Sequence, residues 1–249
     1  MFRTTRALVL REAKYKEADK MLTLLTEDEG KQPAAAKGVL GKSGKLSAAC
    51  QLLTFSEFTL YESRGRLYVR EARSLEQFLG LREDIALLAL GTYFAELLET
   101  VSDEESPNGR VLSLGLNSLF ALSRGLYEQE HIKSVFELRL MCLSGFEPAL
   151  DCCAVCGEPE PEEPYFSTQG GALICRGCRR AEYGGAVKLG EASLAAMRHI
   201  VSAGPKRIFS FTLDRDGGAE LADAAETYVK TQLERGFSTL DYWKNVKDL

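Results

Sequence analysis

Two cysteine pairs, Cys153-Ala-Val-Cys156 and Cys175-Arg-Gly-Cys178, carry the clearest chemistry in this sequence, with eighteen residues between them. Two residues between thiols let the backbone fold into a knuckle that aims both sulfurs at one ion. Two such knuckles at this spacing make a four-thiolate zinc site. Gly157 and Gly177 suit the tight turns that knuckles need. Four cysteines fill the coordination shell, so one structural zinc is expected, with no open position for a substrate. A redox dithiol accounts for one pair but not for two at matched spacing. Cys152 offers a three-residue spacing to Cys156, less favourable than the two-residue one, while Cys50 and Cys142 sit among apolar residues and read as core. Seven cysteines and no secretory leader argue for metal binding and burial over disulfides. With only His131 and His199, histidine-based catalysis has little support.

A second pattern is electrostatic. The 249 residues carry a net charge of −5, which taken whole argues against a nucleic-acid partner. The distribution reverses that argument: residues 1–80 hold fourteen Lys and Arg against ten Asp and Glu, a net of +4, and the remainder carries −9. No acidic residue stands between Glu29 and Glu57, where Lys31, Lys37, Lys42 and Lys45 punctuate a Gly-containing stretch. Ammonium groups on such loops can reach phosphates and release condensed counterions. In Arg66-Leu-Tyr-Val-Arg70, strand periodicity puts Arg66, Tyr68 and Arg70 on one face, an arrangement fit for phosphate contact and base stacking, and equally for an ordinary solvated face. Arg64 adds a cation in the preceding turn. The cysteine region is the opposite: no Lys or Arg lies between Arg139 and Arg176, but Glu147, Asp151, Glu158, Glu160, Glu162 and Glu163 do. It reads as a structural clip or protein-binding surface, not a DNA-gripping finger.

Ala36-Lys-Gly-Val-Leu-Gly41-Lys42-Ser43 imitates a phosphate-binding loop. A real one follows a buried strand and opens a helix, and Gly30-Lys-Gln-Pro-Ala-Ala reads as a poor buried strand. The alternation of strands and helices that nucleotide folds need is also missing. Carboxylates such as Asp103-Glu104-Glu105 fall in polar breaks, and Asp214 to Gly218 reads as a turn.

The elements that must position these residues divide by composition. Leu8 to Leu10, Met21 to Thr26, Leu52 to Tyr61 and Leu67 to Val69 are short strand-like runs, which predict a small barrel or sandwich. Apolar spacing of three and four then predicts helices from an N-cap at Ser74 to Val101, over Val111 to Tyr127, and along Ile132, Val135, Phe136, Leu140 and Leu143. After the cysteines, Ser193 to Ala203 and Ala219 to Arg235 again read as helices. The helices on either side of the cysteine stretch are expected to pack together, which makes that stretch an insertion. With 45% hydrophobic and 27% charged residues the chain is an ordinary globular one. No apolar run reaches the ~18 residues of a membrane span, so no membrane partner and a cytoplasmic location are expected.

In order and spacing, several segments together resemble the bacterial RecO family of recombination-repair mediators over nearly the whole chain. These are Ala7-Leu-Val-Leu-Arg11, Tyr15-Lys-Glu-Ala-Asp19, Leu22-Thr-Leu-Leu-Thr26 with Gly30-Lys31, Ala36-Lys37-Gly38, the two cysteine pairs, and Phe237-Ser-Thr-Leu-Asp241. The resemblance implies an α+β multidomain architecture: an N-terminal OB-fold β-barrel (1–78), an all-helical domain (79–150 and 180–249) and an inserted four-cysteine zinc module (151–179). It implies a non-enzymatic protein that binds single- and double-stranded DNA, anneals strands and works with RecR. It also implies contact with the C-terminal tail of single-stranded DNA-binding protein, help in loading RecA, and a nucleoid-associated place in the bacterial cytoplasm. The chain departs from the family where members commonly carry several Arg; here the stretch is Gly38-Val-Leu-Gly41.

On that footing Lys31, Lys37, Lys42, Lys45, Arg64 and Arg66 are the expected phosphate contacts and Tyr68 the expected stacking residue. Cys153, Cys156, Cys175 and Cys178 are the expected zinc ligands. Arg124, Lys133 and Arg139, the cations of the helical region, are candidates for the rim of an apolar groove that takes an acidic peptide tail. A protein-interaction adaptor whose basic loop is merely solvated is the competing class, and an NTPase built on Lys42 a more distant one.

Overall fold

The computed structural model describes residues 2–41, 46–179 and 186–248. Five strands close a barrel in the order β1-β2-β3-β5-β4: β1 (Phe2–Lys14), β2 (Lys20–Thr26), β3 (Gly30–Ala36), β4 (Phe55–Ser63) and β5 (Arg66–Glu76). All neighbours are antiparallel except β3 and β5, which run parallel and pair Ala34 with Leu67 and Ala35 with Tyr68. This is an OB-like barrel. Its interior follows from period two: Ala7 and Val9, Leu22 and Leu24, Ala34 and Ala36, Phe58 and Leu60, and Val69 point inward. Leu8, Leu10 and Leu25 are buried outside that interior cluster. They lie on the other face of β1 and β2, strands against which α1 (Ile85–Val101) packs. Residues 7–10 are therefore continuously apolar because both faces of β1 are covered there.

Two expectations are corrected in this region. Gly30 to Ala36 is a well-buried strand despite Pro33, because Pro33 is the exposed member of the run. The strand leads into a turn, not a helix, so the resemblance to a phosphate-binding loop fails on its second half; Lys42 and Ser43 lie outside the described residues. Ser74 is no helix cap: it pairs with Ser56 inside β5, and the helical spacing of Leu75, Phe78 and Leu79 spans a strand end and a 3-10 turn. The cap of α1 is Asp84, whose carboxylate accepts from the amides of Ala86 and Leu87.

The pairing of β3 with β5 is short, and the free edge of β3 near Gly30 is covered by the 102–106 segment. Lys31 N donates to the Asp103 carbonyl at 3.0 Å, and Gly30 bridges to Glu104. Gly30 has φ of +66°, and a Cβ there would stand 2.5 Å from the carbonyl oxygens of Asp103 and Ser106. Both obstacles are backbone. Gly30→Ala is expected to lower stability by about 1–3 kcal/mol in urea titration, from the left-handed backbone and the closed approach together; an unchanged midpoint would mean that the 102–106 segment yields freely.

The chain forms two compact units, 1–126 with 237–249, and 127–236. In the first, α1 joins the barrel, α2 (Gly109–Ser123) and α6 (Ser238–Val246); α6, carrying buried Leu240 and Trp243, had no signal in the sequence beyond the closing segment at Phe237. In the second, α3 (Gln129–Leu143), α4 (Glu191–Ser202) and α5 (Arg215–Gln232) pack together, with a small sheet of β6 (Pro164–Ser167), β7 (Ala172–Cys175) and β8 (Ala186–Lys188). The Asp214 to Gly218 segment opens α5 instead of forming a turn: Asp214 caps it through the Gly217 amide. Among the described residues no helix is long and apolar enough to cross a membrane.

Candidate nucleic-acid interface and metal centre

On the outside of the barrel lies a groove of about 700 Å³. It is bounded by the β1–β2 loop (Tyr15, Lys16, Asp19), the outward residues of β2 and β3 (Met21, Pro33, Ala35), the turn after β3 (Lys37), and the β4–β5 turn with the start of β5 (Gly65, Arg66, Tyr68). In OB-folds the face of strands 2 and 3 and these same two loops bind oligonucleotides. The β4–β5 turn places Arg64 and Gly65 both at positive φ, 53° and 69°, so Arg64 occupies a position better suited to Asn or Gly, and it is exposed.

Parity along the strands decides which side chains reach the groove. Ala34 and Ala36 fill the barrel, so Pro33 and Ala35 face outward and the next outward position is Lys37. Its turn is fastened to the β1–β2 loop: the Gly38 amide donates to Asp19 Oδ1 at 2.8 Å and the Leu40 amide to the Ala18 carbonyl at 3.0 Å. The Lys37 ammonium then stands 4.3 Å from the centre of the Tyr68 ring. Arg66 donates to the Tyr15 hydroxyl at 3.3 Å, and Lys16 lies 5.6 Å over the Tyr15 ring. One end of the groove thus gathers three cations and two tyrosines, beside Asp19 and Glu62. The other carries Glu29, Glu104 and Glu105, with Arg3 engaged by Glu29.

Of the expected phosphate contacts, Lys37 and Arg66 are exposed at the cationic end, and Arg64 is exposed in the adjoining β4–β5 turn without lining the groove. Lys31 is placed differently. Its ammonium donates to the Glu99 carbonyl at 2.9 Å, in the last turn of α1, where the helix dipole favours a cation. Lys42 and Lys45 lie outside the described residues. Sequence reasoning did not single out Tyr15 and Lys16, which line this groove. Both stood in a recognisable segment, but only the barrel shows that this loop borders the groove.

The sulfurs of Cys153, Cys156, Cys175 and Cys178 all lie within 4.8 Å of one another, and Cys152 is not among them. Cys156 and Cys175 are 3.8 Å apart, far beyond a disulfide and equal to the edge of a tetrahedron with metal–sulfur bonds of about 2.3 Å. The first knuckle turns through Gly157, at φ +79°, whose amide donates to the Cys153 carbonyl. The second closes β7, where the Cys175 amide donates to Cys153 Sγ at 3.3 Å. Although its burial opposes ionisation, the backbone amides of Cys156, Cys175 and Val155 bring the Cys153 thiol down to about 6. Hydrogen bonds with Cys175 and Cys156 push Cys178 up to about 12. Negative charge on four sulfurs this close needs a cation to hold it. The donor set, the distances and the amide-to-sulfur bonds all fit a metal ion.

Both parts of the chain match models of one family. The model "Recombination protein O N terminal" matches residues 1–78, and "Recombination protein O C terminal" matches residues 82–241. The chain belongs to the RecO family. The DNA repair protein RecO of Acetivibrio thermocellus is 32% identical to it over 97% of this chain and 96% of the relative. RecO of Alkaliphilus metalliredigens is 30% identical over 97% and 98%, and RecO of Caldicellulosiruptor bescii 27% over 98% of each.

In this RecO-family chain the three cations expected to rim a peptide groove have unlike surroundings. Lys133 is corrected: it is 1% exposed, with its ammonium 2.9 Å from Glu137 and 3.0 Å from Glu226. Its i, i+4 partner was visible in the sequence, but Glu226 of α5 was not. Arg139 donates to the Ile200 and Val201 carbonyls at the end of α4, so it secures a helix terminus. Arg124 is exposed over the Phe120 ring, and it belongs to the other compact unit.

Proposed function

We propose that this protein is a non-enzymatic DNA-binding mediator of recombinational repair. In this reading it binds single- and double-stranded DNA, promotes strand annealing, and helps RecA load on strands coated by single-stranded DNA-binding protein, together with RecR. The observation that carries it is the cationic and aromatic end of the barrel groove, built from the two loops that OB-folds use for oligonucleotides. Lys37, Arg64 and Arg66, with Lys42 and Lys45, contact phosphates; Lys16 joins them, and Tyr68 meets a base. Residues 1–78 form the DNA-binding part, 79–150 and 180–249 the helical part and 151–179 the insertion, whose metal is one structural zinc. Of the three cations expected to rim a peptide groove, Arg124 is the exposed one, and it meets the acidic tail of single-stranded DNA-binding protein. The protein works at the bacterial nucleoid.

A labelled single-stranded oligonucleotide titrated at several salt concentrations tests this reading. Affinity should fall steeply as salt rises, with each phosphate contact adding about 0.7 to the log–log slope. Lys37→Glu with Arg66→Glu should weaken binding by roughly tenfold or more and flatten the slope by about 1.4. Binding that is absent at low salt, or indifferent to both reversals, would transfer the protein to the adaptor class.

A further inference from the structure

Three aromatic side chains stand in a row on the outside of the barrel, across three strands. Tyr61 of β4 pairs directly with Tyr68 of β5, and Phe2 of β1 pairs directly with Tyr61. The Tyr61 and Tyr68 rings are stacked, 5.3 Å between centroids and 21° between planes, and Phe2 leans on Tyr61 at 5.9 Å. The core does not need these rings: the barrel interior is filled by Phe58, Leu60 and Val69 from the same two strands. One face of Tyr68 is backed by Tyr61. Over the ring, on the groove side, lies the Lys37 ammonium at 4.3 Å, and both residues line the groove.

We propose that the Tyr61–Tyr68 pair is a stacking platform for an unpaired nucleobase, and that Lys37 covers it in the free protein and moves to a phosphate when a base takes its place. This deepens the DNA-binding reading and rests on it. An aromatic ring held by a second ring is rigid, so a base stacks on it with little ordering of the protein. A stacked base is held more strongly than an exposed cation over the same ring. The displaced ammonium gains an anionic oxygen near the base it made room for, so neither group is left without a partner. The fastening of the 37–41 turn to Asp19 and Ala18 keeps Lys37 within reach of both positions. Since stacking needs an open base face, the platform favours single strands over duplex, whose bases are already stacked.

Two oligonucleotides of equal length and charge provide the test, one with bases and one abasic over its central stretch, together with a third bearing 2-aminopurine. Tyr68→Leu should weaken binding of the base-bearing strand roughly tenfold and leave the abasic strand unchanged. Tyr68→Phe, which keeps the ring, should restore the difference between the two strands. The unsubstituted protein should quench 2-aminopurine emission on binding, and Lys37→Ala should retain that quenching while lowering the salt slope by about 0.7. If the unsubstituted protein binds neither strand, the DNA reading itself falls. Tight binding that ignores the presence of bases, or that leaves 2-aminopurine unquenched, overturns the platform alone. Should Tyr68→Leu lose the abasic strand as well, through misfolding, the quenching measurement on the unsubstituted protein decides.

Discussion

Replacing Cys175 by serine is expected to remove the metal and to open the 151–179 segment to protease, while the rest of the protein stays folded. The unsubstituted protein should carry about one zinc per chain by elemental analysis, and the variant close to none. The effect is large because binding of a structural zinc is folding free energy, about 10–16 kcal/mol in small zinc modules near neutral pH. It should stay local because the sheet behind the knuckles has its own support: Phe166 and Leu173 are fully buried, and the Phe166 ring meets Tyr228 of α5 edge-on at 5.0 Å. The knuckles themselves have little core. Cys156 is exposed, and the surrounding Glu158, Glu160, Glu162 and Glu163 repel one another, with Arg176 and Arg198 each pairing to one of them at 2.9 Å. Metal affinity should fall with falling pH, since protons compete for the sulfurs. Stoichiometric zinc retained by Cys175→Ser would overturn the ligand assignment.

Lys133→Ala is expected to destabilise the second compact unit by about 3–5 kcal/mol in urea or thermal unfolding, the cost of breaking a buried ion pair by removing its cation. Glu137 is fully buried beside it, and Glu226 bridges Lys133 to Lys230 at 3.0 and 2.7 Å. Removing the cation takes from the buried Glu137 carboxylate the ammonium that meets both of its oxygens, at 2.9 and 3.0 Å, whereas Glu226 keeps Lys230. Replacing both Lys133 and Glu137 by methionine should recover most of the loss, because a well-packed apolar pair often equals a buried ion pair. A loss below about 1 kcal/mol for Lys133→Ala would mean that the carboxylates find water. Burial lowers the Lys133 pKa, but Glu137 and Glu226 outweigh it and hold the group above its ordinary 10.5. A raised folded value means the contribution is intact below 10.5 and is lost only as pH climbs past it, so neutral and acidic conditions leave this cation charged.

The strands of the barrel were partly legible. Alternation revealed β2 and β4, but β3 hid behind Pro33 and three alanines, residues that look like loop until the barrel is closed around them. The Ser74 error has a related cause: helical spacing over Leu75, Phe78 and Leu79 is too short a sample to outweigh the ladder with β4, which carries β5 on to Glu76. Helices α3, α4 and α5 were readable because long apolar faces average out such accidents.

The two cysteine pairs and the division of charge were legible in the sequence alone. The pairing of thiols at a two-residue spacing is settled within four residues of chain, and a count of charges needs no fold. Which cations can reach the barrel groove was decided only by tertiary structure. Lys31 caps a helix 68 residues away, Lys133 meets a carboxylate on another helix, and Lys37 reaches Tyr68 because β3 and β5 run side by side. A thiol knuckle is a local object. A cation's role depends on the field of groups brought to it from afar, and that field exists only once the chain has folded.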